Sequence, residues 1–120
     1  MKKATSFEDL VVWQKAHQFV IETYRLTQAF PKAEIYGLTS QFRRASVSIA
    51  ANIAEGFKKR GKADKVRIFN IAQGSAGESR YYLILARDLG YVNVDPSLCL
   101  IEEVERMLEA YSQAILDSIP

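Results

Sequence analysis

The sequence predicts an all-α protein, an antiparallel up-down-up-down four-helix bundle that occupies residues 1–120 as a single domain. Apolar residues recur at steps of three and four through four segments of about 20 residues each. Proline or glycine separates consecutive segments, and no segment alternates apolar and polar residues as a strand does. Because the connections between the segments are short, consecutive helices should be antiparallel neighbours.

The first helix is expected to begin near Phe7 and to end near Phe30, before a proline. Ser6 and Asp9 have the spacing of a capping box, with aspartate in place of the usual glutamate. The apolar face of this helix is wider than one stripe, which indicates more than one neighbouring helix. His17 lies on this face, and we interpret it as a hydrogen-bonded core or interface histidine rather than a ligand or a base.

The second helix carries three strips of side chains instead of the usual two. One strip is apolar, one is polar, and the third is rich in alanine, so that another backbone can approach it closely. We expect Val47, Ala50 and Ala54 on the third strip to form a contact between copies of the chain, since uncovered apolar surface marks interfaces. The alternative is an alanine-rich surface helix that helix propensity alone favours.

The third and fourth helices have recognisable ends. We expect the third helix to have Asp64 as its N-cap and to stop before Gly90, a glycine suited to the position after a helix. Asp95 and Pro96 are expected to be the N-cap and the first residue of the fourth helix. The apolar residues of this last helix recur at helical spacing, and its acidic residues lie on the opposite side.

Two polar strips are expected to meet between the second and third helices. In an antiparallel pair joined by a tight connection, residues whose numbers sum to about 122 face one another. This register places Arg44 opposite Glu78. It also places Glu55 opposite Arg67, and both pairs are expected to be mostly buried ion pairs. The full set, named here the polar seam, is Arg44, Ser48, Asn52, Glu55, Arg67, Asn70 and Glu78.

The charges of the chain are unevenly distributed, although the net charge is only +2. Residues 43–67 contain eight basic and two acidic residues, whereas residues 95–120 contain six acidic residues and one basic residue. Cations clustered beside Phe57 can contact the phosphates and stack a base of RNA or single-stranded DNA. A solvated loop is the alternative, and Lys2 and Lys3 are expected to contribute less. The cations of this cluster, named here the basic end, are Lys58, Lys59, Arg60, Lys62 and Lys65.

The sequence lacks the motifs that common enzymes and metal sites in helical bundles require. Di-metal carboxylate bundles need a Glu-x-x-His motif on two helices, and this chain has one histidine. Cys99 is the only cysteine, which excludes an intrachain disulfide and a metal site built on several thiolates. Neither a glycine-rich phosphate loop nor a nucleophile elbow is present. We therefore expect no catalytic residue, no metal and no cofactor.

The sequence also indicates where the protein works. No stretch approaches the roughly 18 apolar residues of a membrane span. Charged residues interrupt the N-terminal segment before an apolar run develops, so no signal peptide is expected. We predict a soluble cytoplasmic protein with no membrane partner.

Several segments of the sequence resemble a known family. These segments are LVVWQKAHQF at 10–19, FPKAEIYGLTSQFRRASVSIAANIAEGF at 30–57, IAQGSAGES at 71–79 and LARDLGY at 85–91. They are similar to the bacterial four-helix-bundle proteins encoded in intervening sequences of 23S ribosomal RNA genes. That family includes the accessory variability proteins of diversity-generating retroelements, which work beside a reverse transcriptase. The resemblance extends from Phe7 to Tyr91, and the fourth helix is similar only in character.

The resemblance implies more than the residues alone do. It implies a homopentamer with a central channel and, for the retroelement branch, nucleic-acid binding with a reverse transcriptase as a partner. Gly77 and Ser79 are smaller than the leucine or glutamate expected there, so the contacts of the third helix should differ. The sequence and the resemblance together predict a non-enzymatic oligomeric accessory factor that binds RNA or single-stranded DNA. The alternative is an assembly or adaptor protein that docks a partner protein and has no nucleic-acid role.

Overall fold

The computed structural model describes residues 3–120, and Lys2 lies outside them. Within these residues the chain forms helices and no strand, so the all-α prediction is confirmed. Two short 3-10 helices, Phe7–Asp9 and Lys32–Glu34, precede the first and second long helices. The four long helices are α1 (Val11–Thr27), α2 (Leu38–Lys58), α3 (Lys62–Asp88) and α4 (Asp95–Asp117).

The four helices form an antiparallel bundle with α1 beside both α2 and α4. Each helix packs against the next one along the chain, and no close backbone approach joins α1 to α3 or α2 to α4 in residues 3–120. Side-chain hydrogen bonds between α3 and α4 show that these two helices run in opposite directions. Gln73 bonds to Glu109, whereas Arg80, further along α3, bonds to Glu102, which lies earlier in α4. The predicted up-down-up-down topology is confirmed, and the bundle measures 50 × 25 × 19 Å.

The core runs along the bundle axis and receives side chains from all four helices. Phe19, Phe42 and Phe69 are fully buried, and α4 adds Ile101 and Leu108. The ring centroids of Phe19 and Phe42 lie 6.2 Å apart across the contact between α1 and α2. Each buried side chain of this kind contributes about 1.5–3 kcal/mol relative to an exposed one. The packed core therefore fixes the helices, and with them the surfaces described below.

The predicted capping box at the N-terminus is confirmed, but it caps a 3-10 turn. The Asp9 carboxylate accepts hydrogen bonds from the backbone N–H groups of Thr5 and Ser6 at 3.0 and 3.1 Å. These bonds lower the pKa of Asp9. Leu10 then adopts an extended backbone with ψ 126°, which separates the 3-10 turn from α1. Because of this break, α1 is shorter than the helix predicted from Phe7.

Two predicted helix starts are wrong, and one predicted end is confirmed. The N-cap of α3 is Gly61, so Asp64 lies inside the first turn. The N-cap of α4 is Val94, and Asp95 is already helical. After α3, Gly90 has φ 73°, and its N–H donates to the carbonyl of Arg87, in the last turn of the helix, at 3.0 Å. This left-handed residue closes the helix in the manner expected of a C′ glycine.

Candidate nucleic-acid interface

The basic end lies where α2 turns into α3 and where α4 finishes. Only the residues between Lys58 and Lys62 connect the two long helices. The Lys62 ammonium donates to the Ser118 carbonyl at 3.1 Å, which brings the C-terminal end of α4 to the same place. Two helix C-termini, each with partial negative charge on its last carbonyls, therefore meet beside the five predicted cations.

Lys65 stabilises the end of α2 instead of extending into solvent. Its ammonium donates to the Phe57 carbonyl at 2.6 Å and to the Gly56 carbonyl at 3.3 Å. The same ammonium lies 5.4 Å from the centroid of the Phe57 ring, and burial lowers the pKa of Lys65. Both carbonyls belong to the last turn of α2, where a cation is favourable. One face of Phe57 is thus covered by an ammonium and is closed to a stacked base.

The other cations of the basic end differ in whether a carboxylate lies beside them. Lys59 lies 3.9 Å from the Glu55 carboxylate, a pairing of the weak exposed kind. Lys58 and Arg60 are exposed, and neither has a carboxylate within 4.0 Å in the described part of the chain. Three exposed or half-exposed cations, Lys58, Lys59 and Arg60, are therefore the part of the basic end that is open to a ligand.

The prediction of buried ion pairs in the polar seam is wrong. Arg44, Glu55, Arg67 and Glu78 are all exposed in the single chain. Glu55 pairs with a lysine of its own helix, and Arg67 lies 3.7 Å from Asp64, also on its own helix. Residues three or four apart on one helix are already neighbours, so Glu55 and Arg67 each meet an opposite charge without reaching across to the other helix. Among residues 3–120, Arg44 has no carboxylate within 4.0 Å.

The register that underlies the polar seam is nevertheless observed. Ser75 donates to the Ser48 hydroxyl at 2.8 Å, and Tyr82 donates to the Gln41 amide oxygen at 3.3 Å. Both pairs fit the predicted antiparallel register of α2 and α3 to within one residue. Asn52 bonds to Ser48 on its own helix, whereas Asn70 is exposed. The seam is thus an open polar groove and not a buried charge network.

An apolar surface lies on the outer side of α1 and α2. A shallow cleft of about 280 Å³ runs between the two helices and is bordered by Trp13, His17 and Val47. Trp13 and His17 stack with ring centroids 5.0 Å apart. His17 is exposed in the single chain, so it is not a core histidine, whereas the interface alternative stays a prediction. We name this surface the α1–α2 face.

The three residues predicted to join copies of the chain are placed differently on this face. Val47 is 41% exposed, whereas Ala50 is only 9% exposed and belongs to the core of the single chain. Ala54 is half-buried. A contact between copies at this face would therefore use Val47 and Ala54, while Ala50 packs between α1 and α2.

The described residues contain no group of three or more histidine, cysteine, aspartate and glutamate side chains placed to hold a metal ion. None of the helices in residues 3–120 is both long enough and apolar enough to span a membrane. Cys99 is exposed and unpaired within the same residues.

These observations define the class of protein as an antiparallel four-helix bundle with a cationic end and an open apolar face. The chain belongs to the 23S rRNA-intervening sequence protein family, whose family model matches residues 8–112. That match includes α1, α2 and α3 and most of α4. The family resemblance predicted from the sequence is therefore confirmed, while the relation to retroelement accessory proteins stays a prediction.

Solved structures support the same fold. The chain is similar to the crystal structure of a protein of unknown function from the S23 ribosomal protein family of Bacteroides thetaiotaomicron VPI-5482. The two share 24% sequence identity and superpose with a TM-score of 0.79, over 86% of this chain and 96% of the other. At this identity the similarity establishes the fold alone. No curated protein matches the sequence.

Proposed function

We propose that the protein acts without catalysis, as an oligomeric accessory factor that binds RNA or single-stranded DNA through its basic end. The observation that carries the proposal is the exposure of Lys58 and Arg60 without acidic partners at a sharp helix connection. Phosphate contacts of this kind are independent of sequence and weaken as salt screens them. Lys62 and Lys65 support the site by fixing the helix ends around it.

Self-association strengthens this binding in the proposed function. One basic end offers a few phosphate contacts, which gives only weak binding at physiological salt. A closed ring would repeat the basic end around one rim, so that avidity raises the affinity without any new contact. The α1–α2 face, with Val47 exposed, is the surface that we assign to the contact between copies. The family resemblance suggests five copies.

The test compares two triple variants that change the net charge equally. The first carries Lys58→Glu, Lys59→Glu and Arg60→Glu. The control carries Lys32→Glu, Arg87→Glu and Arg106→Glu, three exposed cations outside the basic end. We expect the first variant to lose binding to a labelled single-stranded RNA in fluorescence anisotropy and the control to keep most of it. Equal losses would mean that only overall charge matters, and no loss in the first variant would refute the site.

An adaptor protein is the second candidate function. Ile35 is 56% exposed and Tyr36 is 94% exposed, on the connection between α1 and α2. Exposed aromatic and aliphatic residues of this kind are typical of protein–protein contacts. A partner retained on the immobilised protein after nuclease treatment, and lost in a Tyr36→Ser variant, would favour this function. The resemblance to retroelement accessory proteins makes a reverse transcriptase the partner class to test first.

A further inference from the structure

A cleft of about 580 Å³ opens on the side of α2, far from the basic end. It lies between the second half of α1, the connection to α2 and the first half of α2. Its polar border consists of Tyr24, Thr39, Ser40, Arg43, Arg44 and Ser48. From Ser48 to Lys58 the chain rises roughly 15 Å along α2, so the cleft and the basic end are separate surfaces.

Arg43 is held in place by contacts on α1. Its Nε donates to the Thr27 hydroxyl at 2.8 Å, and its guanidinium carbon lies 4.7 Å from the centroid of the Tyr24 ring. The Thr27 hydroxyl in turn donates to the Thr23 carbonyl at 2.7 Å. These contacts use one side of the guanidinium only. Within residues 3–120 its two terminal nitrogens have neither a carboxylate nor another acceptor.

A half-buried guanidinium without a counter-ion is costly, because the charge has lost part of its hydration. Arg43 is half-buried, and the adjacent Arg44 also has no carboxylate within 4.0 Å in the described residues. No acidic side chain borders the cleft. The two arginines therefore give the cleft a positive charge that no carboxylate within 4.0 Å neutralises in the described residues. Glu78 borders a neighbouring groove together with Arg44, but it does not border this cleft.

The hydroxyl groups of the cleft are also available to a ligand. Thr39 is only 6% exposed and has no hydrogen-bond partner for its side chain among the described residues. The Ser48 hydroxyl accepts hydrogen bonds from Asn52 and Ser75, so its own proton remains free to be donated. Hydroxyl groups that border a cleft in this way can donate a hydrogen bond to a ligand or accept one from it.

We propose that this cleft binds a phosphate monoester, such as the phosphate of a nucleotide or the terminal phosphate of a nucleic-acid strand. Two guanidinium groups match the charge of a phosphate dianion, whereas a single carboxylate would neutralise only one of them. The volume is in the range of small-molecule sites. Ile35 supplies an apolar wall beside the arginines for the body of such a ligand. This site does not depend on the function proposed for the basic end.

The test titrates the full-length ¹⁵N-labelled protein with AMP, adenosine, inorganic phosphate and acetate. We expect AMP and phosphate to shift the backbone amide signals of Thr39, Ser40 and Arg43 in a saturable way. Adenosine and acetate at equal concentration should leave them unchanged. Acetate acting as well as phosphate would assign the cleft to a protein carboxylate and overturn the proposal, as would the absence of any shift with phosphate and AMP.

Variants locate the binding within the chain. Arg44→Gln should weaken AMP binding at least tenfold, since hydrogen bonds between charged groups are the strong ones. Arg44 has no intramolecular ion pair within the described residues, so this change leaves the fold intact, whereas Arg43→Gln also removes the contacts with Thr27 and Tyr24. Arg67→Gln, at an exposed arginine on α3, is the control and should keep the affinity of the parent. An equal loss in Arg44→Gln and Arg67→Gln would overturn the proposal.

Two further experiments identify the source of the phosphate and test whether the cleft binds independently of the basic end. An oligonucleotide with a 5′-phosphate that shifts the Thr39 signal, when its unphosphorylated form does not, indicates a strand terminus as the ligand. Binding of AMP alone indicates a free nucleotide. The Lys58→Glu, Lys59→Glu, Arg60→Glu variant should bind AMP as the parent does. Loss of AMP binding in that variant would show that the cleft has no independent site.

Discussion

At the scale of single residues, Gly56 is the position where the core leaves no room for a side chain. A Cβ atom built there would lie 2.7 Å from the Phe69 ring, which is itself fully buried. We therefore predict that Gly56→Ala destabilises the protein by about 1–3 kcal/mol, the usual cost of overpacking. Urea denaturation measures this change. Gly77→Ala, inside α3 where a Cβ meets nothing within 4 Å, is the control and should not lower the free energy of unfolding.

Glu105 gives a prediction about pH. One of its carboxylate oxygens is buried without a hydrogen bond, and burial raises the pKa of Glu105, with a further contribution from Glu102 and opposition from Arg80. The folded state therefore holds this proton more tightly than the unfolded state. The associated stability is present at low pH and is lost as pH rises through the raised pKa.

Glu105→Gln removes this dependence, because glutamine does not ionise. We expect the variant to gain free energy of unfolding relative to the parent at pH 7, and to gain less at pH 4. Urea denaturation at both pH values checks this. Arg80 keeps Glu102 as a partner at 3.4 Å, so its charge is not stranded. A difference between variant and parent that is equal at both pH values would contradict the assignment.

Side-chain contacts between residues close in sequence were predictable, whereas side-chain contacts between different helices were harder to predict. The Ser6–Asp9 box depends on residues three apart, and it was predicted from the sequence. Glu55 and Arg67 of the polar seam do not pair with each other because each has an oppositely charged neighbour on its own helix, three or four residues away. The anchoring of Arg43 by Thr27 and Tyr24 needs the relative position of two helices, which the spacing of apolar residues does not fix.

At the scale of helices, α3 contains two glycines that its own bundle does not require. Gly74 and Gly77 lie in its middle and are exposed, and a Cβ atom added to either would meet nothing within 4 Å. Glycine in an exposed helix interior costs about 1 kcal/mol relative to alanine. Gly74→Ala should therefore raise the thermal midpoint by a few degrees. A lower midpoint would show that another backbone approaches this face in the assembled protein.

The interiors of the helices were easier to predict than their starts. Helical spacing of apolar residues identified all four helices, because burial of one face is the dominant favourable term. The starts of α3 and α4 differ from the prediction at Asp64 and Asp95. In α4 the Asn93 side chain accepts a hydrogen bond from the Asp95 N–H at 3.1 Å, so the residue that bonds this end precedes the expected cap.

At the scale of the whole molecule, the α1–α2 face is left open by the four-helix arrangement. Val47→Arg places a charge on this exposed face without disturbing the core, unlike a change at the buried Ala50. We predict that the parent self-associates at micromolar concentration and that Val47→Arg reduces its mass in light scattering while helicity is kept. A parent that scatters as a single chain would contradict the assembly.

The bundle topology could be predicted from sequence because short connections allow few arrangements. For the proposed binding surfaces, the sequence predicted only which residue types lie together. Five cations fell at one end as expected, yet Lys62 and Lys65 are engaged by helix termini, a use that charge counting does not distinguish from ligand binding.

The salt dependence of RNA binding tests the proposed function most directly. Anisotropy titrations of the parent across a series of salt concentrations should give a steep fall in affinity, with a log–log slope of about −0.7 per phosphate contact on a single strand. The Lys58→Glu, Lys59→Glu, Arg60→Glu variant should bind too weakly to measure or show a slope shallower by about 2. Equal affinity and equal slope for the two proteins would contradict nucleic-acid binding by the basic end.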